Sequence, residues 1–173
     1  MKTWLISVIV VLFFMFFAVA PFLLVCLSVW LSPDPAKPKV LHGEFPFNFE
    51  YEKSGQKVVI NDSIICDFDG IGMNEGVGKY NKWKEQLTNG GDTEILLLKV
   101  NENEEIRFNV GSAEYYMGAM NGNYGWEGSF PDADLVIKNG GSTSISKIIA
   151  KDLWGKYQIK LIKWEPSSPI SQK

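Results

Sequence analysis

Phe45-Pro46-Phe47-Asn48-Phe49-Glu50-Tyr51-Glu52 is the stretch that decides the fold. Aromatic residues take every second position, and Pro, Asn and Glu fill the others. Successive side chains of a strand point to opposite faces, so the pattern predicts a half-buried strand with Phe45, Phe47, Phe49 and Tyr51 toward a core. Pro46 lacks an amide to give to a ladder, which places the start of this strand at a sheet edge.

Working outward, residues 53–56 (Lys-Ser-Gly-Gln) turn the chain. Residues 57–60 and 63–68 read as strands around an Asn61-Asp62 turn. Residues 94–100 and 105–110 form a hairpin, and 134–138 and 143–149 form another around Asn139-Gly140-Gly141, a strong hairpin signal. Residues 158–165 are the last strand. All 16 glycines fall between Gly43 and Gly155, as expected of many short strands joined by turns. Two helices are predicted. Residues 79–87 carry Tyr80, Trp83 and Leu87 on one helical face and stop at Asn89-Gly90; residues 150–157 carry Leu153, Trp154 and Tyr157. The expected class is α+β, a mainly antiparallel β domain over residues 40–165 with two short helices. Residues 166–173 form a loose Pro/Ser-rich tail.

Upstream, residues 32–39 contain three prolines, the composition of an extended, semi-rigid spacer of roughly 25 Å at 3.1 Å per residue. Before it, residues 4–31 carry no charged side chain. A bilayer core of roughly 30 Å needs about 20 apolar helical residues, so this run is long enough to span with tilt. Trp4 and Trp30 lie near its ends, where indole rings favour the interface. Pro21 removes one backbone donor, which membrane helices tolerate. The run therefore reads as a retained transmembrane anchor whose partner is the lipid bilayer. Three rival readings exist. Ala18-Val19-Ala20 has the form of a signal-peptide cleavage site, but Pro21 would follow the cut and apolar residues 22–31 would remain. Leu23-Leu24-Val25-Cys26 resembles a lipobox, but Val25 is large for its place. A buried helix this long would swamp the domain. The signal-like start favours a cytoplasmic N-terminus and an extracytoplasmic domain, although Lys2 on one side and Lys37 and Lys39 on the other leave the positive-inside rule nearly balanced.

Charge narrows the function classes. Lys2 is the one charged side chain in the first 31 residues, so the remainder holds 16 Lys/Arg against 20 Asp/Glu. That mildly acidic balance excludes nucleic acid as an expected partner, since no basic patch or stripe stands out. Two cysteines, one of them Cys26 in the apolar run, make no disulfide framework.

Two constellations invite a chemical reading. Between Cys66 and Gly78, acidic residues alternate with glycines. As a calcium-binding EF-hand loop starting at Asp67, this stretch offers Asp69 at position 3 and Gly72 at 6. It then fails with Ile71 at 5 and Gly78 at 12. An irregular oxygen site using Asp67, Asp69, Asn74 and Glu75 is the metal candidate, against a plain glycine-rich loop leading from a strand to a helix. The second constellation spans residues 115–128. Its Tyr115, Tyr116, Tyr124 and Trp126, with Asn and Gly between, suit an exposed platform for a glycan or protein; the bland alternative is an ordered loop capping the core. Catalytic machinery is sparse. His42 is the one histidine, Cys66 sits in an apolar strand, and no Gly-x-Ser-x-Gly occurs. No catalytic residue and no cofactor are assigned.

The stretch Gly70–Trp83 and the ending from Tyr157 to Ile170, with its Ile-Lys-Leu-Ile-Lys-Trp-Glu-Pro core, resemble uncharacterised single-pass membrane proteins of Gram-positive bacteria. The resemblance implies a bacterial cell-surface protein and carries no activity. The sequence thus leads to a non-enzymatic, membrane-anchored, extracytoplasmic binding module for an envelope protein or glycan. Its rivals are a cell-envelope hydrolase using Asp67, Asp69 and Glu75, and an accessory subunit of a membrane complex acting through its helix.

Overall fold

A computed structural model describes residues 2–74, 76, 78–119 and 128–170, with residues 2–12 as backbone only. The chain divides into two compact units. One comprises Met1–Lys37 with Asp69–Lys82, the other Pro38–Phe68 with Trp83–Lys173.

In the larger unit, the aromatic alternation does what it predicts. Strand β1 (His42–Lys53) buries Phe45, Phe47, Phe49 and Tyr51 at 4, 5, 0 and 7 % exposure. It pairs antiparallel with β2 (Gln56–Asn74) on one side and β8 (Ile159–Pro166) on the other. Pairing with β8 begins only at Phe47, so Pro46 stands where β1 has one partner. The Pro46 carbonyl accepts from the Ser167 amide just beyond. With β3 (Gly78–Leu87) the first sheet has the order β3-β2-β1-β8. The second sheet is a meander in chain order. It consists of β4 (Glu94–Lys99), β5 (Glu104–Asn109), β6 (Ala133–Asn139) and β7 (Ser142–Ile148).

The sheets share one core. Phe49 of β1 stacks on Phe108 of β5 with ring centroids 4.3 Å apart, and Trp164 of β8 packs edge-on against both rings. Helix α2 (Ala113–Tyr116) is one turn, started by Ser112, whose hydroxyl accepts from the Tyr115 amide. Helix α3 (Ala150–Tyr157) buries Leu153. Its first amide, on Ala150, donates to the Asp132 carboxylate at 2.8 Å, which supplies an otherwise orphaned helix-end donor with an acceptor.

Three expectations are corrected here. Residues 79–87 form β3 rather than a helix. Residues 57–68 are one uninterrupted strand that runs on to Asn74, so the glycines at 70 and 72 lie in β2 and not in a strand-to-helix loop. The turn-forming residues at 61 and 62 are tolerated because neighbours satisfy them: Asn48 donates to Asn61 at 2.7 Å and Asn89 to Asp62 at 2.8 Å. Finally, the tail is not loose up to Ile170, whose amide donates to the Tyr116 carbonyl at 2.8 Å.

The smaller unit contains α1 (Lys2–Leu31), one helix long and apolar enough to cross a membrane. No side chain of Phe13–Leu31 is buried. The proline segment after it is not free. Lys79 Nζ donates to the Ser32 carbonyl at 2.7 Å and pairs with Asp34 at 2.9 Å, and Asn81 Nδ2 donates to the Ala36 carbonyl at 3.0 Å.

Candidate binding groove

The carboxylates singled out as metal ligands are occupied elsewhere. Asp67 lies across the β1–β2 ladder from His42 and meets its Nδ1 at 2.7 Å. Asp69 pairs with Lys82 at 2.6 Å, and that hydrogen bond raises the Lys82 ammonium above its ordinary pKa. Asn74 Oδ1 accepts from the Gly76 amide at 2.8 Å. Glu75 lies outside the described residues. Among the described residues, no three His, Cys, Asp or Glu come together to hold a metal ion.

The aromatic platform is also revised. Tyr116 is fully buried, donates its hydroxyl to the Val110 carbonyl at 2.6 Å and packs on Phe45 at 5.0 Å. Burial, then the nearby Tyr115, pushes its phenol pKa up. Tyr115 packs edge-on against Tyr116 and lies partly buried on the core. Tyr116 therefore offers no open stacking face, because α2 turns it onto Phe45 of β1. Tyr124 and Trp126 lie outside the described residues. Close packing here extends to Gly43, where a Cβ would meet the Phe45 ring at 2.7 Å and Met117 Sδ at 2.8 Å.

Nucleophilic chemistry finds no footing at Cys66. Its thiol is fully buried, and burial, with the charges of Glu85, Glu114 and Asp67, pushes its pKa up to about 12. The thiolate is the reactive form, so this cysteine is inert at neutral pH. Nearby, Glu85 of β3 accepts from the Ala113 amide at the start of α2 and from Thr93 Oγ1 at 3.3 Å. Burial holds its carboxyl above the usual range. This is a structural joint, since both partners are fixed parts of the scaffold.

What sequence reasoning missed lies on the opposite side of α3. An open groove of about 670 Å³ is lined by Glu52, Pro131, Ala150, Lys151, Trp154, Lys160 and Leu161. Two of its residues follow from register: Glu52 of β1 stands across from Lys160 of β8. One turn of α3 supplies Lys151 and Trp154. The indole is 43 % exposed although the neighbouring Leu153 is fully buried. Adjacent helical residues point about 100° apart, so only one of the two can face the core. That mismatch was the available signal. The groove combines an aromatic face, two ammonium groups and one carboxylate, a set suited to stacking plus polar contacts. A second, smaller groove of about 370 Å³ includes Asp62, Asp92, Glu94 and Arg107. There Arg107 donates to Glu94 and Glu105 at 2.9 and 2.6 Å, so its guanidinium is held by the protein's own carboxylates.

No protein-family model, curated protein or solved structure matches the chain.

Proposed function

We propose that this is a single-pass membrane protein whose N-terminal helix is a retained anchor and whose β-rich unit is a non-enzymatic, extracytoplasmic binding module. The observation that carries the reading is the exposure of α1. From Phe13 to Leu31 none of its apolar side chains is buried by the protein, whereas the β-rich unit hides Phe45, Phe47, Phe49, Phe108 and Tyr116 in its own core. Apolar surface left this way is most stable in a lipid phase. The signal-like start and the resemblance to Gram-positive membrane proteins support an outward-facing domain.

The binding surface is the Trp154 groove. Its ligand class is an extended envelope polymer, a glycan or a protein segment, laid over the indole with hydroxyl or acidic groups toward Lys151 and Lys160. Catalysis finds less support: the expected pair Asp67 and Asp69 is engaged by His42 and Lys82.

Two measurements test this. In membranes from expressing cells, the chain should stay in the pellet after alkaline carbonate extraction, and protease added to intact cells should digest the β-rich unit. Recovery in the supernatant, or protection of that unit, overturns anchor or orientation respectively. Trp154→Ala should reduce capture by cell-wall material at least tenfold while changing stability by less than about 0.5 kcal/mol, as for a surface substitution. Unchanged capture removes the groove from the proposal.

A further inference from the structure

The smaller unit carries an apolar feature that the anchor reading does not use. Ile71 and Met73 lie two residues apart on β2, hence on one face, and are 47 and 56 % exposed. They belong to the end of the β2–β3 hairpin, which turns through Gly76. Asp69 pairs with Lys82, and Gly72 lies so close under Tyr80 that a Cβ there would meet the ring at 2.6 Å. Residues 71–73 therefore run alongside 79–81.

The height of this hairpin end relative to α1 is fixed by hydrogen bonds. Lys79 binds the carbonyl of Ser32, the first residue after the helix, and Asn81 binds that of Ala36. The spacer and β3 thus run in the same direction, with Lys79 the nearer of the two to the helix end. Met73, beside Lys79, therefore lies within about a lysine side chain's reach of Ser32. Ile71, about 7 Å farther along the strand, sits level with the spacer. Trp30, 64 % exposed, stands two residues before Ser32 on the helix.

We infer that the face of β2 carrying Ile71 and Met73 is a second membrane contact, which seats Met73 in the headgroup region of the leaflet that α1 enters at Leu31, with Ile71 at its outer edge. The inference rests on α1 being a membrane anchor. Its occupant is lipid rather than a protein partner, because the Lys79 tether keeps the apolar face beside the end of α1, where the headgroups begin. The driving force is apolar burial. Both lysines of residues 69–82 are paired, Lys79 with Asp34 and Lys82 with Asp69, so neither requires an anionic headgroup. Lys79 also places a cation at the carbonyl end of α1, where the helix dipole favours it.

The test uses the full chain with Cys26→Ala, reconstituted in zwitterionic phosphatidylcholine vesicles and carrying one nitroxide at Met73→Cys, Ile71→Cys or Trp30→Cys. Cys66 is buried and stays unlabelled. Accessibility to oxygen is compared with accessibility to a water-soluble nickel chelate. Expected is an oxygen-to-nickel ratio at position 73 several-fold above that of the label in buffer, a smaller rise at 71 and the largest at 30. A water-like ratio at 73 with a lipid-like ratio at 30 overturns the inference and leaves the anchor standing. A water-like ratio at 30 overturns the anchor, and the inference with it.

Discussion

Phenylalanine is placed in opposite ways in the two units. In α1, Phe13, Phe14, Phe16 and Phe17 are 59–69 % exposed; in β1, Phe45, Phe47 and Phe49 are 0–5 % exposed. The side chain is the same and the periodicity is not. In β1 polar residues take every second position, so one face meets water and the other meets a second sheet. Around α1 no polar stripe exists, so no orientation of the helix hides its apolar surface from water. The contrast teaches that an apolar residue's fate is set by what alternates with it.

The sharpest way to break the comparison is to give α1 the polarity it lacks. Phe16→Lys together with Val19→Lys should cost about 5–7 kcal/mol of membrane insertion, at about 2.5–3.5 kcal/mol per central lysine. The membrane-pellet fraction should collapse. An unchanged pellet after carbonate extraction would refute the contrast. Next in size is the β-rich side. Phe49→Ala removes a ring stacked on Phe108 and should cost about 3–5 kcal/mol in urea or thermal unfolding. A loss below about 1 kcal/mol would mean the core re-closes around the gap.

Smaller still is the Glu85 joint. Glu85→Ala leaves the buried Ala113 amide without its acceptor and should cost about 1–3 kcal/mol. Glu85→Gln keeps an acceptor and isolates the charge. Burial raises the folded-state pKa of Glu85 above its unfolded value, so the native state holds the proton to higher pH. Stability from this group is therefore greatest in acid and is lost as pH rises through the interval between the two values. The Gln variant should show a flatter decline in stability from acid to neutral pH; an identical pH profile would remove Glu85 from the account.

Legibility followed local periodicity. The β1 alternation, both hairpins of the second sheet and α3 were readable because each is specified within about ten residues. β3 was misread because Tyr80, Trp83 and Leu87 fit a helical spacing, while the strand is decided by distant partners: Trp83 packs on Phe68 and Glu85 holds α2. The length of β2 was hidden for the same reason, since Asn61 and Asp62 signal a turn unless Asn48 and Asn89 engage them. As for sites, Asp67 and Asp69 looked like ligands because their partners, His42 and Lys82, are remote in sequence. Trp154 looked like core because helical spacing alone does not separate it from Leu153.

Strand β8 sets a schedule for the molecule's birth. Ser167 docks on Pro46, 121 residues earlier, and β8 supplies the outer partner of Phe47, Phe49 and Tyr51. At about 5–20 residues per second, synthesis leaves that aromatic row without its last strand for roughly 6–24 s. A nascent chain in that interval presents an unpaired strand edge and uncovered rings, and it depends on whatever shields them until residue 166 emerges.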